Sequence, residues 1–303
     1  MNYRSTAAGT VNIAMKHLNH SFGVQVDQEQ IQDTSQLLSL IDAHKIVVIE
    51  NAKIDSEQDL INFATKIGKT FPQVSYYDIA PDIKLDFYKN NNIGVDDLTI
   101  QTKSGLIDSI DIEDWHQDAA SYHHTKMIGC AHVKSPAAES ECIGDTAFCN
   151  LQGIYHSLSD SFKSFLKTLT IEHSSLFYRE QDYFISKTLQ TALKSNNIKE
   201  VIMSLVKLKN YTPKPFVNKF INDDGCINFS PKDSPRFLDL TPAESNIICD
   251  LLKKQITNPI WQYQHRWNNN QIVLWDNRYV LHRRIDNAGI NTTRTFWRIQ
   301  IEI

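Results

Sequence analysis

With 303 residues, 41% apolar and 10% aromatic, the chain can bury a substantial core as one large domain or two ordinary ones. A formal charge of −4 argues against general affinity for nucleic acid or anionic membranes. With no run of 18 apolar residues and no basic start followed by an apolar segment, a soluble cytoplasmic protein is expected.

In chain order, Leu37 to Ile41 read as the end of a helix, and Lys45-Ile46-Val47-Val48-Ile49 is a β-branched run of the buried-strand kind. Asp55-Ser56-Glu57 supplies helix-starting chemistry, and Leu60, Ala64 and Ile67 share one helical face until Gly68 stops it. From about 75 to 115 the chain is polar and irregular, with Asn90-Asn91-Asn92 and an acidic stretch from Asp108 to Asp114. Its core, 80–115, is expected to be a lid loop beside a site. Strands with a turn at Gly144-Asp145 are expected over 126–150. Tyr155, Leu158, Phe162, Phe165, Leu166 and Leu169 then recur at helical spacing.

A further helical region over about 182–209 has the shape of an insertion, placed within 178–230. Thr241-Pro242-Ala243-Glu244 combines a capping box with proline in the first turn and starts a helix running through Lys253. Strands at about 271–275 and 294–302 close the chain. There is no regular β-α-β alternation and no glycine-rich phosphate loop, which favours a β barrel or sandwich with helices outside. The five cysteines show no C-x-x-C spacing and are expected to be reduced, mostly buried thiols.

Two distant stretches carry the chemistry: Trp115-His116-Gln117-Asp118, and His282 within Trp275-Asp276-Asn277-Arg278-Tyr279-Val280-Leu281-His282-Arg283. In an extended segment residues two apart share a face, so His116 and Asp118 converge while Trp115 and Gln117 look away. Two histidines and a carboxylate form the facial triad that holds non-haem Fe(II) and leaves positions open. His123, His124, His132, His156, His173 and His265 lack such neighbours and read as surface or hydrogen-bonded core residues.

The closing strand places Arg294, Phe296, Arg298 and Gln300 on one face, and Thr295, Trp297, Ile299 and Ile301 on the other. The second face is core. The first presents two guanidinium groups 12 and 16 positions after His282, where a small dianion would relieve the cost of burying them. Surface arginines paired with acidic residues are the ordinary alternative.

These residues together resemble the taurine dioxygenase (TauD/TfdA-like) family of Fe(II)/2-oxoglutarate-dependent oxygenases, over nearly the full length. The matching pieces are W-H-x-D, Gly144-Asp145-Thr146, W-D-N-R-x-x-x-H and the final R-x-x-x-R. The resemblance implies an α+β fold with a mainly β core, a double-stranded β-helix (jelly roll) with flanking helices and a helical insertion, as a single domain over 1–303. It implies iron ligation by His116, Asp118 and His282, and binding of the distal carboxylate of 2-oxoglutarate by Thr146 and Arg294. Arg298 would serve the keto-acid end or hold an acidic group of the substrate. Asp118 argues against the halogenase branch, where a small residue opens a halide position.

The implied reaction oxidises an unactivated C–H bond of a small molecule with dioxygen and 2-oxoglutarate, by hydroxylation or desaturation, releasing succinate and carbon dioxide. Around Ile227-Asn228-Phe229-Ser230-Pro231-Lys232 a glycine-containing stretch of taurine dioxygenases is missing, which argues against taurine. Some relatives act in specialised metabolism, including isonitrile pathways, and Tyr76-Tyr77 after Phe71-Pro72 resembles their substrate loops. Tyr76, Tyr77, Arg179 and Lys232 are the candidates for touching substrate, set against the ordinary reading of packed tyrosines and solvated cations. A zinc hydrolase or isomerase on the same ligands, and a non-catalytic jelly-roll binding protein, are the competing classes. Self-association is left open.

Overall fold

In the computed structural model the described residues are 14–20, 22–71, 101–106, 114–120, 127–134, 144–173, 216–223, 225–285 and 293–302. The described chain begins with two short strands, β1 (Lys16–His17) and β2 (Val24–Asp27). Helix α1 (Thr34–His44) starts where the Asp33 side chain accepts from the Gln36 N–H, and it ends at Lys45 in the left-handed region (φ 66°). Strand β3 (Ile46–Glu50) follows, then α2 (Glu57–Ile67), whose start is fixed by a reciprocal Ser56–Asp59 capping box. Gly68 ends α2 at a close approach: a Cβ there would stand 2.9 Å from the Glu302 carbonyl oxygen.

Next come β4 (Lys69–Phe71), β5 (Gln101–Leu106), β6 (Met127–Lys134) and β7 (Thr146–Asn150). Helices α3 (Leu151–Ser157) and α4 (Asp160–Leu166) lead to β8 (Thr170–His173), β9 (Phe216–Lys219) and β10 (Arg236–Phe237). Helix α5 (Pro242–Ile256) carries the expected Thr241–Glu244 capping box. The chain closes through β11 (Gln262–His265), β12 (Ile272–Asp276), β13 (Val280–Arg284) and β14 (Thr293–Glu302).

The large sheet runs β1-β2-β3-β12-β6-β14-β4, with β5 also paired to β14. A second sheet runs β11-β7-β13, and a third β10-β8-β9. Side-chain alternation decides which face each strand buries. On β12, Ile272 and Leu274 join Trp297, Ile299 and Ile301 of β14 in a core under α1 and α2. Val273 and Trp275 turn the other way, to meet Phe148 of β7, Val280 of β13 and Trp267 between the two sheets. The outward side of the second sheet, through Cys149 and Leu281, packs on Leu252 and Ile256 of α5 and on Leu166 of α4. Two facing sheets with helices outside are the double-stranded β-helix architecture.

Several sequence expectations shift in detail. The helical spacing over 155–170 is carried by two short helices broken at Leu158 and Ser159, where the Ser159 side chain caps the second by accepting from the Phe162 N–H. Within the stretch taken as irregular, Gln101–Leu106 is a strand. Its sequence lacks apolar alternation, and it is fixed by pairing to the free edge of β14, Arg298 opposite Gln101 and Arg294 opposite Gly105. The rest of 80–113 and the helical region over 182–209 lie outside the described residues. The described cysteines, Cys130, Cys149, Cys226 and Cys249, are buried thiols outside any disulfide. No helix among the described residues is long and apolar enough to cross a membrane.

Candidate active site

The ligand-bearing segment, 115–118, is stitched to β13 by one isolated antiparallel bridge. The His116 N–H donates to the His282 carbonyl at 3.1 Å, and the His282 N–H returns the bond at 2.9 Å. This pairing brings side chains 166 positions apart in sequence to 4.3 Å between ring centroids. Just past Asp118 the backbone turns through a left-handed residue, Ala119 (φ 63°), which ends the extended run and leaves the carboxylate facing the two imidazoles. Asn277 holds that turn from both sides: its Oδ1 accepts from the Asp118 N–H at 2.9 Å, and its Nδ2 donates to the Asp118 carbonyl at 3.0 Å.

His282 Nε2 stands 3.6 Å from Asp118 Oδ1, and His116 Nε2 stands 4.0 Å from it. One donor atom from each of the three lies within 4.8 Å of the others, and all three residues are buried. His116 Nδ1 is 2.9 Å from the Asp114 carbonyl, which only accepts. The proton therefore sits on Nδ1, and Nε2 keeps its lone pair for the centre. Asp118 Oδ2 and both ring nitrogens of His282 are buried without a hydrogen-bond partner among the described residues. Buried polar atoms left this way are costly, and a divalent cation bound by two neutral imidazoles and a carboxylate would satisfy them. The donor set thus fits Fe(II).

Electrostatics favour the ionised carboxylate. Burial pushes the Asp118 carboxyl upward, but the Arg298 guanidinium, 3.0 Å away, and the two histidines outweigh it and hold the group well below the usual carboxylate range. Phe148 and Trp275 flank His282, with centroids at 6.2 Å and 5.2 Å, and wall it with apolar surface. Trp275 lies flat on Gly129, where a Cβ would come within 2.0 Å of the indole.

At the neighbouring end of the second sheet, Arg294 Nη1 donates to the Gly144 carbonyl at 2.6 Å. Burial and then the charge of Arg284 bring the Arg294 guanidinium down to about 10, against the pull of Asp145. Thr146 opens β7 between Arg284 of β13 and His265 of β11, and its Oγ1 accepts from the Trp267 indole at 3.0 Å. The structure therefore gathers His116, Asp118, His282 and Arg298 at one centre, and holds Arg294 on the Gly144 carbonyl, two residues before Thr146. Lys232 is half-buried, and its N–H donates to the Trp115 carbonyl at 3.0 Å, beside the ligand segment. Tyr76, Tyr77 and Arg179 lie outside the described residues.

Sequence reading passed over three contributors. Gln117, facing away from the centre as expected, clamps the Ile227 and Asn277 carbonyls, each at 2.9 Å, and accepts from the Phe229 N–H at 2.9 Å. Asn277 and Trp267 are the others. Asn277 sat in a quoted motif, so the signal was present without a role.

The family model for "Taurine catabolism dioxygenase TauD, TfdA family" matches residues 14–300. The alpha-ketoglutarate-dependent 2,4-dichlorophenoxyacetate dioxygenase of Burkholderia sp. (strain RASC) is 23% identical over 90% of this chain and 89% of its own. Pentalenolactone F synthase of Streptomyces avermitilis is 23% identical over 87% of this chain and 82% of its own. The crystal structure of AAD-2 in complex with Mn(II) and N-oxalylglycine has the same fold, with a TM-score of 0.63 at 17% identity over 96% of this chain and 97% of that one. The chain belongs to the TauD, TfdA family and is a 2-oxoglutarate-dependent dioxygenase with Fe(II) as its metal. Family membership decides among the three classes weighed from sequence in favour of the oxygenase.

Proposed function

We propose that this dioxygenase oxidises an unactivated C–H bond of a small molecule, by hydroxylation or desaturation, using the residues gathered around Asp118. His116, Asp118 and His282 hold the iron. Thr146 and Arg294 receive the distal carboxylate of 2-oxoglutarate, and Arg298 serves the keto-acid end. Bound iron supplies the chemistry that couples dioxygen reduction and decarboxylation of 2-oxoglutarate, to succinate and carbon dioxide, to oxidation of the substrate. The same reading takes residues 1–303 as one catalytic domain, supported by a family match over 14–300.

The chain's own contribution is placement and exclusion of water. His116 keeps one ring proton on the Asp114 carbonyl and offers a lone pair at Nε2. Asp118 stays anionic beside Arg298, so it ligates without first losing a proton. Phe148 and Trp275 keep solvent from the His282 side. Arg294 offers a planar fork suited to a carboxylate.

The observation that carries this reading is the buried convergence of His116, Asp118 and His282, one ligand atom of each within 4.8 Å of the others. Anaerobic addition of Fe(II) and 2-oxoglutarate should produce a visible charge-transfer absorption that needs both additions. No such band at saturating concentrations would contradict the assignment. Substrate is then sought by succinate release over a small-molecule panel. Aryloxyacetates come first, because one relative is a 2,4-dichlorophenoxyacetate dioxygenase.

A further inference from the structure

Thr146 has its oxygen engaged before any ligand arrives. The Trp267 indole, which can only donate, gives its Nε1–H to Thr146 Oγ1 at 3.0 Å. The hydroxyl has one proton, and no described residue accepts it. With its acceptor side occupied by the indole, that proton is directed away from Trp267. The indole itself is buried and braced on two sides. His265 stands edge-on at 4.6 Å, and Phe296 stands edge-on at 5.3 Å. Phe296 is also the ring under the Arg294 guanidinium, whose Cζ lies 5.2 Å from its centroid. One indole therefore touches both arms of the pocket: the hydroxyl directly, and the guanidinium through one phenyl ring. His265 adds no competing cation, because burial pulls its imidazole down to about 3.

We propose that Trp267 is a positioning residue for the cosubstrate, turning the Thr146 hydroxyl into a committed donor and fixing the height of Arg294 so that both meet one carboxylate. The inference rests on the reading above that Thr146 and Arg294 receive the distal carboxylate of 2-oxoglutarate. Its consequence is selectivity: a site whose hydroxyl is held as a donor beside a guanidinium favours an anion over a neutral group of the same shape.

The test is calorimetric binding to the full-length, Mn(II)-loaded protein, with 2-oxoglutarate and 2-oxovalerate as paired probes. 2-Oxovalerate has the same keto-acid end and no distal carboxylate. Trp267→Phe should weaken 2-oxoglutarate about 10-fold, as loss of one oriented hydrogen bond to a charged group would. It should leave 2-oxovalerate and Mn(II) within about twofold, the scatter allowed for a merely packed neighbour. Thr146→Val should weaken 2-oxoglutarate at least as much, Thr146→Ser should largely restore it, and the double variant should match Thr146→Val alone. Replacing Trp267 with 3-benzothienylalanine, which keeps the bicyclic ring and removes the N–H, gives the same comparison if the phenylalanine variant folds poorly. Equal weakening of 2-oxoglutarate, 2-oxovalerate and Mn(II) would overturn the proposal, as would additive losses in the double variant. If Thr146→Val has no effect, the reading of the pocket itself fails. If Thr146→Val weakens binding and neither Trp267 replacement does, only the role of Trp267 fails.

Discussion

Asn277 and Asp118 exchange two hydrogen bonds, the amide oxygen accepting from the Asp118 N–H at 2.9 Å and the amide nitrogen donating to its carbonyl at 3.0 Å. The carboxylate is thus held through its own backbone by a residue five positions before His282. Asn277→Ala releases the left-handed turn at Ala119 and lets the carboxylate wander. Loss of such outer support typically costs 10- to 100-fold in metal affinity. A fall of about that size in Mn(II) affinity is expected from calorimetry, with Asn277→Asp in between because it keeps the acceptor and loses the donor. Unchanged affinity in Asn277→Ala would remove this residue from the account.

Gln117 makes a different kind of contribution. Its amide satisfies the Ile227 and Asn277 carbonyls and the Phe229 N–H in a buried setting, tying the ligand segment to the chain around residues 227–229. Gln117→Leu keeps the bulk and strands those groups. A buried group left without a partner costs about 1–3 kcal/mol, so a loss of about 3 kcal/mol is expected in urea unfolding, with an unchanged slope. A loss below about 0.5 kcal/mol, the range of an ordinary surface change, would contradict the clamp.

Gly129 faces Trp275 across the β6–β12 pair, and no side chain fits between them. Gly129→Ala pushes the indole off, and that indole lies 5.2 Å from the His282 ring and 5.8 Å from Phe148. Overpacking of this kind costs about 1–3 kcal/mol, and His282 should lose its setting as well. Lower thermal stability and weaker Mn(II) binding are expected together. Adding Trp275→Phe should recover part of both; strictly additive losses would contradict the contact.

Two buried histidines make stability depend on pH. His173 Nε2 accepts from the Ser230 N–H at 3.1 Å, and burial pulls its imidazole down to about 4; His265 is pulled down to about 3. Each folded-state value lies below the unfolded value of about 6.5, so the unfolded chain binds protons first as pH falls. Stability is full above about pH 6.5 and declines toward pH 4, by roughly 3 kcal/mol for His173 if its whole shift is expressed. His173→Asn, which keeps an acceptor for Ser230, should flatten part of the slope of unfolding free energy between pH 6.5 and 4. An unaltered slope would show that His173 does not titrate in this way.

Much of the scaffold was legible because it follows from local chemistry. The helix start at Asp55-Ser56-Glu57, the Thr241–Glu244 box and the two-residue alternation of β14 are written in adjacent residues. The triad was legible because His116, Asp118 and His282 sit in segments whose neighbours repeat a known pattern. Strand β5 was not, since a polar strand can be held by backbone pairing with β14 alone. Strands β11 and β13 escaped because each is short and polar at one end, and their order about β7 is set by tertiary pairing. The Trp267–Thr146 bond joins residues 121 positions apart and leaves no periodic trace.

The central claim is that His116, Asp118 and His282 share one ion. Mn(II) titration of the chain and of His116→Ala, Asp118→Ala and His282→Ala, followed by electron paramagnetic resonance, tests it most directly. One tightly bound ion per chain is expected, with each substitution weakening it at least about 100-fold, the upper range for disturbing even outer support. Tight binding that survives all three substitutions would contradict the assignment.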